Sequence, residues 1–179
     1  MKGYLNLPEE TAERFTSDGW FKTGDQGRFE HKRFLKITGR ISELFKTTTG
    51  KFVAPAFVEE QLRTSPFIDQ CIAVGLNQPH VGALVIPDFS YLERWCAEKK
   101  IHWTSPAYMI LNPKVNKKYR EEIEQINQAL LGSVEQVKSF QLLADEWSGE
   151  NGLLTPSLKL RRRDILEKYS AEIEGMFNK

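Results

Sequence analysis

The stretch DQCIAVGLNQPHVGALVIP, residues 69 to 87, decides the fold of this chain. It holds two apolar segments, residues 69–76 and 81–87, joined by the polar loop Asn77-Gln78-Pro79-His80. Short segments rich in Val, Ile and Leu and separated by turn residues are typical of neighbouring β-strands. The sequence therefore predicts a sheet built around this pair of strands.

Helices of unequal length are predicted around these strands. Residues 56–63 form one helix, and Ser90 with Glu93 provides a capping box for the next. A long helix follows Asn112-Pro113 and places one apolar stripe toward the core, made of Val115, Tyr119, Ile123, Ile126 and Leu130. A third strand is expected over residues 139–143, and a single helix at the end of the chain. The pattern predicts an α+β fold with a short, mainly antiparallel sheet flanked by helices.

The beginning of the chain has a different character. A short helix near Pro8 is followed by a predicted hairpin of residues 27–30 and 34–38. These pieces bury little apolar surface against one another, so we interpret residues 1–39 as the tail of a larger domain. Residues 40–179 then form a small domain of their own.

Composition excludes several classes of function. The 179 residues carry 25 Lys and Arg against 24 Asp and Glu, a net charge of +1. Such a balance gives no general attraction to nucleic acid or to an anionic membrane. The two cysteines, Cys71 and Cys96, fit neither a disulfide framework nor a zinc site. No apolar run is long enough to span a bilayer, so we expect a soluble, cytoplasmic protein.

Two residues of the N-terminal segment are candidates for binding a nucleotide. In Thr23-Gly24-Asp25 a carboxylate follows a strand-like segment, where it can meet the vicinal hydroxyls of a ribose. The alternative is a turn with a surface Asp. Arg40 follows Gly39, and its guanidinium can hold hydroxyls or phosphate, although it can equally be a surface Arg.

Two further segments could contact anions. The loop from Lys46 to Lys51 is rich in hydroxyls and includes Gly50, but it lacks the spacing of a phosphate-binding loop, and a hairpin tip is the alternative. Lys159 precedes the basic run Arg161-Arg162-Arg163. That run could be a solvated helix start or a nucleic-acid contact. Lys159 could also act as a point charge on a triphosphate or an acyl phosphate.

Taken in order, these segments resemble the acyl-adenylate-forming superfamily, and specifically its long-chain fatty-acid–CoA ligases. The resemblance rests on MKGYLNLPEET at 1–11, GWFKTGD at 19–25, GR at 39–40 with GKFVAP at 50–55, and ENGLLTP at 150–156 with Lys159. It covers nearly the whole chain. Two positions depart from the usual pattern, since Ser42 stands at the hinge and Leu158 stands where a glycine often precedes the lysine.

The resemblance implies an enzyme that activates a fatty acid with MgATP and then transfers the acyl group to coenzyme A. It implies that Asp25 holds the ribose with help from Arg40, and that Lys159 is the catalytic lysine of adenylation. Lys46, Gly50 and Lys51 would lie beside the coenzyme A channel. The partner would be the large N-terminal domain of the same enzyme, which holds most of the ATP and the Mg²⁺, so this region alone would be inactive.

Two other hypotheses remain at this point. The chain could be a non-catalytic interaction module descended from such a domain, although the presence of both Arg40 and Lys159 argues against decay. A small nucleic-acid binder is disfavoured by the net charge. No metal site is expected within the chain, and membrane association of the whole enzyme is left open.

Overall fold

The computed structural model describes residues 1–178 and divides the chain into two compact units. The first unit is Met1–Leu44, and the second begins at Phe45. The predicted boundary at residue 39 lies just before the 3₁₀ turn Ile41–Glu43, which belongs to the first unit. The domain assignment of 1–39 and 40–179 stays a prediction.

The first unit is a helix and a hairpin without a buried core. Helix α1 spans Pro8–Glu13, strand β1 Asp25–Glu30 and strand β2 Phe34–Arg40. The strands are antiparallel, as the sequence predicts, and Asp25 lies opposite Arg40. None of these 44 residues is buried, which agrees with the low burial expected for this segment.

The second unit contains most of the regular structure. Its elements are β3 Phe45–Lys46, β4 Phe52–Val53, α2 Pro55–Leu62, β5 Ile68–Val74, β6 Val81–Pro87, α3 Phe89–Glu98, α4 Pro106–Met109, α5 Pro113–Leu130, β7 Val137–Leu142, α6 Arg162–Lys168 and α7 Ser170–Phe177. Strands β3 and β4 form a small antiparallel hairpin. The predicted α+β class is confirmed.

The main sheet has the strand order β5-β6-β7. Strands β5 and β6 are antiparallel, with Cys71 opposite Val85. Strand β7 confirms the predicted third strand, but it lies parallel to β6 and places Leu142 opposite Val85. The sheet is therefore mixed, because the chain passes through α3, α4 and α5 before β7 pairs with the edge of β6 that β5 leaves free.

Both faces of the sheet are covered. Every residue of β6 is buried, as expected for a central strand packed on two sides. One face packs against α2, α3 and α5 through a cluster that includes Val58, Leu62, Leu92, Val115, Tyr119 and Ile123. The other face packs against the C-terminal segment through Trp147, Leu153, Ile165, Tyr169 and Met176. This second layer fixes the segment that carries Lys159 onto the sheet.

The structure corrects several local predictions. The N-cap of α3 is Asp88, whose Oδ1 accepts a hydrogen bond from Tyr91 N at 2.8 Å, so the Ser90–Glu93 capping box is wrong. In α5 the predicted stripe is buried except for Leu130, which is 45% exposed because it ends the helix. The C-terminal helix is two helices, since the chain bends at Tyr169 between α6 and α7.

Candidate functional site

Asp25 and Arg40, two candidates named separately from the sequence, form an ion pair in the first unit. Arg40 Nε lies 2.9 Å from Asp25 Oδ1, and Arg40 Nη1 donates a 3.0 Å hydrogen bond to the Thr23 carbonyl. Gly24, which lies between Thr23 and Asp25 in the chain, adopts a φ of 76°, in the left-handed region that favours glycine. The Thr23-Gly24-Asp25 turn is thus tied to the end of β2.

This arrangement orients the Asp25 carboxylate without occupying it fully. The Asp25 side chain is 28% exposed and that of Arg40 is 58% exposed. A carboxylate has two oxygens and about four acceptor positions. The second oxygen of Asp25 therefore remains available to accept hydrogen bonds from a diol.

Lys46, Gly50 and Lys51 lie on the β3–β4 hairpin of the second unit. Its turn is held by Thr47, whose backbone N donates to the Lys51 carbonyl at 3.0 Å and whose Oγ1 lies 2.8 Å from Thr49 Oγ1. Gly50 has a φ of 81° and exposes its backbone, with no atom closer than 3.9 Å to a Cβ built there. The hairpin expected as the alternative is thus present, and no neighbouring side chain covers its turn at Gly50.

Lys159 lies on a closed loop just before α6. Leu154 and Leu160 form a β-bridge, and Thr155 N donates to the Lys159 carbonyl at 2.8 Å. Lys159 N donates in turn to Thr155 Oγ1 at 3.1 Å. The Lys159 side chain is exposed, and its ammonium has no hydrogen bond or ion pair with the described residues of the second unit. The fold thus presents a free cation on a constrained backbone.

Leu158 occupies the loop position that leads into Lys159 and has a φ of 59°. A left-handed conformation is costly for a Leu and carries no such cost for a glycine. The Leu158 side chain is 77% exposed and gains no burial in return. The loop is consequently strained at the residue next to the lysine.

Residues 43–179 match the family model of the AMP-binding enzyme C-terminal domain. The chain belongs to this family. The family assignment agrees with the resemblance inferred from the sequence motifs.

Curated relatives of this chain include fatty-acid–CoA ligases and a fatty acyl-CoA synthetase. It is 37% identical to a long-chain-fatty-acid–CoA ligase of Mycobacterium tuberculosis over 100% of the chain and 30% of that protein. It is 32% identical to long-chain-fatty-acid–CoA ligase 6 of Homo sapiens over 99% of the chain and 26% of that protein. The chain therefore spans less than a third of the length of these relatives.

Two of the solved structures that this chain resembles are adenylation domains of carboxylic acid reductases. The adenylation domain of the carboxylate reductase from Mycobacterium chelonae matches with a TM-score of 0.77 and 27% identity, covering 99% of this chain and 26% of the other. The corresponding domain of the carboxylic acid reductase from Segniliparus rugosus, in complex with AMP and a co-purified carboxylic acid, matches with a TM-score of 0.78 and 25% identity, covering 98% and 26%.

A small cavity of about 100 Å³ lies beside the β3–β4 hairpin of this AMP-binding C-terminal domain. Its lining includes Thr47, Thr49, Lys51, His80 and Lys138. Burial, together with the positive charge of Lys138, lowers the pKa of His80 below its ordinary value of 6.5. A cavity of this size is too small to enclose a drug-sized ligand but can hold one polar group of a longer one.

The sequence analysis missed the buried ion pair between Glu59 and Arg162. Arg162 Nη2 donates to both carboxylate oxygens of Glu59, at 2.8 and 2.9 Å, and the Glu59 side chain is only 6% exposed. One signal was available, because Glu59 falls on the buried face of α2 together with Pro55, Val58 and Leu62. A carboxylate within such an apolar stripe indicates a buried cationic partner.

Neither cysteine is suited to nucleophilic chemistry. Burial and, to a smaller extent, the nearby Glu59 carboxylate together raise the pKa of the Cys71 thiol to about 12. Burial likewise raises the pKa of the Cys96 thiol.

Within residues 1–178 no group of three His, Cys, Asp or Glu side chains could hold a metal ion.

Proposed function

We propose that this chain is the C-terminal region of an AMP-forming long-chain fatty-acid–CoA ligase. The similarity that carries the proposal is the 37% identity along the whole chain to the long-chain-fatty-acid–CoA ligase of Mycobacterium tuberculosis. Its partner is the N-terminal adenylation domain of the same enzyme. We call the enzyme in which the two are joined the complete ligase.

In the first half-reaction a fatty-acid carboxylate oxygen attacks the α-phosphorus of ATP. The new acyl–oxygen–phosphorus linkage gives acyl-AMP, and the bond to pyrophosphate breaks. Negative charge builds on the phosphoryl oxygens, and the ammonium of Lys159 stabilises it. The exposure of Lys159 and its lack of a partner within the second unit support this role. Removing one such positioned group typically costs about 10²–10³ in rate.

Asp25 binds the ribose of the nucleotide in this proposal. Its free carboxylate oxygen accepts hydrogen bonds from the two ribose hydroxyls. Arg40 holds the other oxygen at 2.9 Å and keeps the carboxylate oriented. The observed pairing of these two residues supports the assignment of both to the nucleotide site.

In the second half-reaction the thiol of coenzyme A attacks the acyl carbon of acyl-AMP. The thioester forms, the thiol proton leaves to solvent, and AMP departs. The β3–β4 hairpin with Lys46, Gly50 and Lys51 then contacts the coenzyme A arm. Its open tip at Gly50 and the polar cavity beside it support this use. A rotation of the second unit about the Arg40–Glu43 segment exchanges Lys159 for this hairpin.

The proposal includes a cytoplasmic location. Cys71 and Cys96 are both free and buried, which suits a reducing compartment. No helix among residues 1–178 has the length and apolar character needed to cross a membrane.

The complete ligase provides the direct test. It should release AMP and pyrophosphate and form a thioester when supplied with a long-chain fatty acid, MgATP and coenzyme A. The isolated chain should form no acyl-AMP and serves as the control. Failure to form acyl-AMP from any fatty acid, from short to long chain, would overturn the proposal.

A further inference from the structure

We propose that Arg162, held by Glu59, is a positioning residue for the loop that carries Lys159. The catalytic half of this inference rests on the proposed function. The structural half, that the ion pair fixes the loop, can be tested without it.

The contact between these residues is part of a closed network around Ala73 of β5. Arg162 Nη1 donates to the Ala73 carbonyl at 3.3 Å, and Ala73 N donates to Glu59 Oε1 at 2.7 Å. Strand β5 is an edge of the sheet. The pair therefore satisfies both backbone groups of Ala73 on that edge and ties the start of α6 to the sheet.

Arg162 lies directly after the loop that it is proposed to fix. The loop closes through the Leu154–Leu160 bridge, and Arg161 N donates to the Leu153 carbonyl at 2.9 Å. These bonds shape the loop internally, and Leu154 and Leu160 at its two ends pack against the second apolar cluster of the sheet. Residues 155–159 between them are partly or fully exposed, so this stretch gains little anchoring from burial. The guanidinium of Arg162 is the first side-chain group after Lys159 that hydrogen-bonds to the sheet.

Glu59 connects the same network to the other functional segment. It lies on α2, which begins at Pro55, immediately after strand β4 of the hairpin. Glu59 is buried on the side of α2 that packs into the core. The ion pair consequently links the Lys159 loop to α2 and, through α2, to the β3–β4 hairpin. Since the proposed reaction uses these two segments in turn, a fixed distance between them lets one rotation serve both steps.

Amide hydrogen exchange on the full chain tests the structural half. Arg162→Gln removes the charge, and Arg162→Lys keeps the charge but loses the fork that spans Glu59 and Ala73. Arg161→Gln is the matched control, because the Arg161–Asp164 pair is exposed on both sides. We expect exchange at the amides of Thr155, Lys159 and Arg161 to rise about tenfold or more in Arg162→Gln, less in Arg162→Lys, and not in the control. Amides of α5 should be unchanged.

The complete ligase tests the catalytic half. With Arg162→Gln, the kcat for ATP–pyrophosphate exchange should fall by up to about 10²-fold while the KM for ATP is retained, because a misplaced group loses transition-state contacts. Arg162→Lys should recover part of this loss. Equal loop exchange in Arg162→Gln and wild type would overturn the inference, as would equal effects of Arg161→Gln and Arg162→Gln. If the loop loosens but Lys159→Ala leaves adenylation intact, the positioning role stands and the proposed function of Lys159 fails.

Discussion

Arg40 Nε lies 2.9 Å from Asp25 Oδ1, and the two residues face each other at the open end of the β1–β2 hairpin. They are 15 positions apart along the chain, yet the antiparallel register makes them direct neighbours. The ion pair is exposed, so its contribution to folding is small, about 0–1 kcal/mol. The ion pair instead orients the Asp25 carboxylate, so that its second oxygen can accept hydrogen bonds from a ligand.

We expect Arg40→Gln to impair nucleotide binding more than folding. Loss of a charge-assisted bond that orients a ligand-binding carboxylate should raise the KM for ATP about tenfold in the complete ligase. The free energy of unfolding should change by no more than about 1 kcal/mol. Arg28→Gln is the control, because it removes the similarly exposed Arg28–Glu30 pair of the same hairpin. Equal rises in KM for both variants would contradict the role of Arg40.

Gly50→Ala should affect the thioester step selectively. The added Cβ meets no close atom, but a φ of 81° costs an Ala about 1–2 kcal/mol, so the hairpin tip must change its backbone. We expect slower thioester formation from supplied acyl adenylate and unchanged pyrophosphate exchange in the complete ligase. Gly149→Ala also meets open space and has no positive φ, so it should leave both steps unchanged. A matching loss in both steps for Gly50→Ala would argue against the assignment.

Leu158→Gly should stabilise the chain. Relief of the left-handed Leu conformation gains about 1–2 kcal/mol, and the greater flexibility of glycine in the unfolded chain offsets about 0.5–1 kcal/mol of that gain. A net increase in the free energy of unfolding of roughly 0.5–1 kcal/mol is expected from chemical denaturation. Leu111 is similarly exposed but has no positive φ, so Leu111→Gly should destabilise the chain instead. A destabilising Leu158→Gly would show that the loop is not strained.

The stability of the second unit should decrease as the pH falls below about 6.5. His80 has a lowered pKa in the folded state because of burial and of Lys138, so the unfolded chain takes up a proton first as the pH drops. Above pH 6.5 His80 is neutral in both states, and the free energy of unfolding does not depend on its protonation. Between 6.5 and the lower folded-state pKa, protonation of the unfolded chain reduces the free energy of unfolding; below the folded-state pKa the reduction is complete. Unfolding of wild type and His80→Gln over about pH 5–8 should give curves that diverge below about 6.5. Parallel curves would contradict the shift.

Much of the fold was predictable from local sequence pattern. The strands β5 and β6 and the helix α5 follow from apolar segments and spacing, because both depend on which face of an element is buried. The N-cap of α3 could not be predicted from the sequence, because Asp88 and Ser90 are both good N-cap residues and only the backbone conformation decides between them. The parallel placement of β7 was also missed, because pairing direction depends on the path of the intervening helices.

The site roles of Asp25, Arg40 and Lys159 rest on short motifs and stay predictions. The contact between Asp25 and Arg40 is not stated by any of those motifs and is seen only in the structure. The Glu59–Arg162 pair joins residues 103 positions apart. Tertiary packing brings these two residues together, and no local spacing in the sequence reports it. The burial of Glu59 was the one feature that local pattern could have indicated.

The central claim, that Lys159 serves adenylation, is tested by Lys159→Ala in the complete ligase. ATP–pyrophosphate exchange and thioester formation from supplied acyl adenylate should be measured separately, with Arg161→Gln as the neighbouring control. We predict that exchange falls by about 10²–10³ while thioester formation stays close to wild type. Wild-type rates in both steps would contradict the account and leave the basic run from Lys159 to Arg163 as a solvated start of α6.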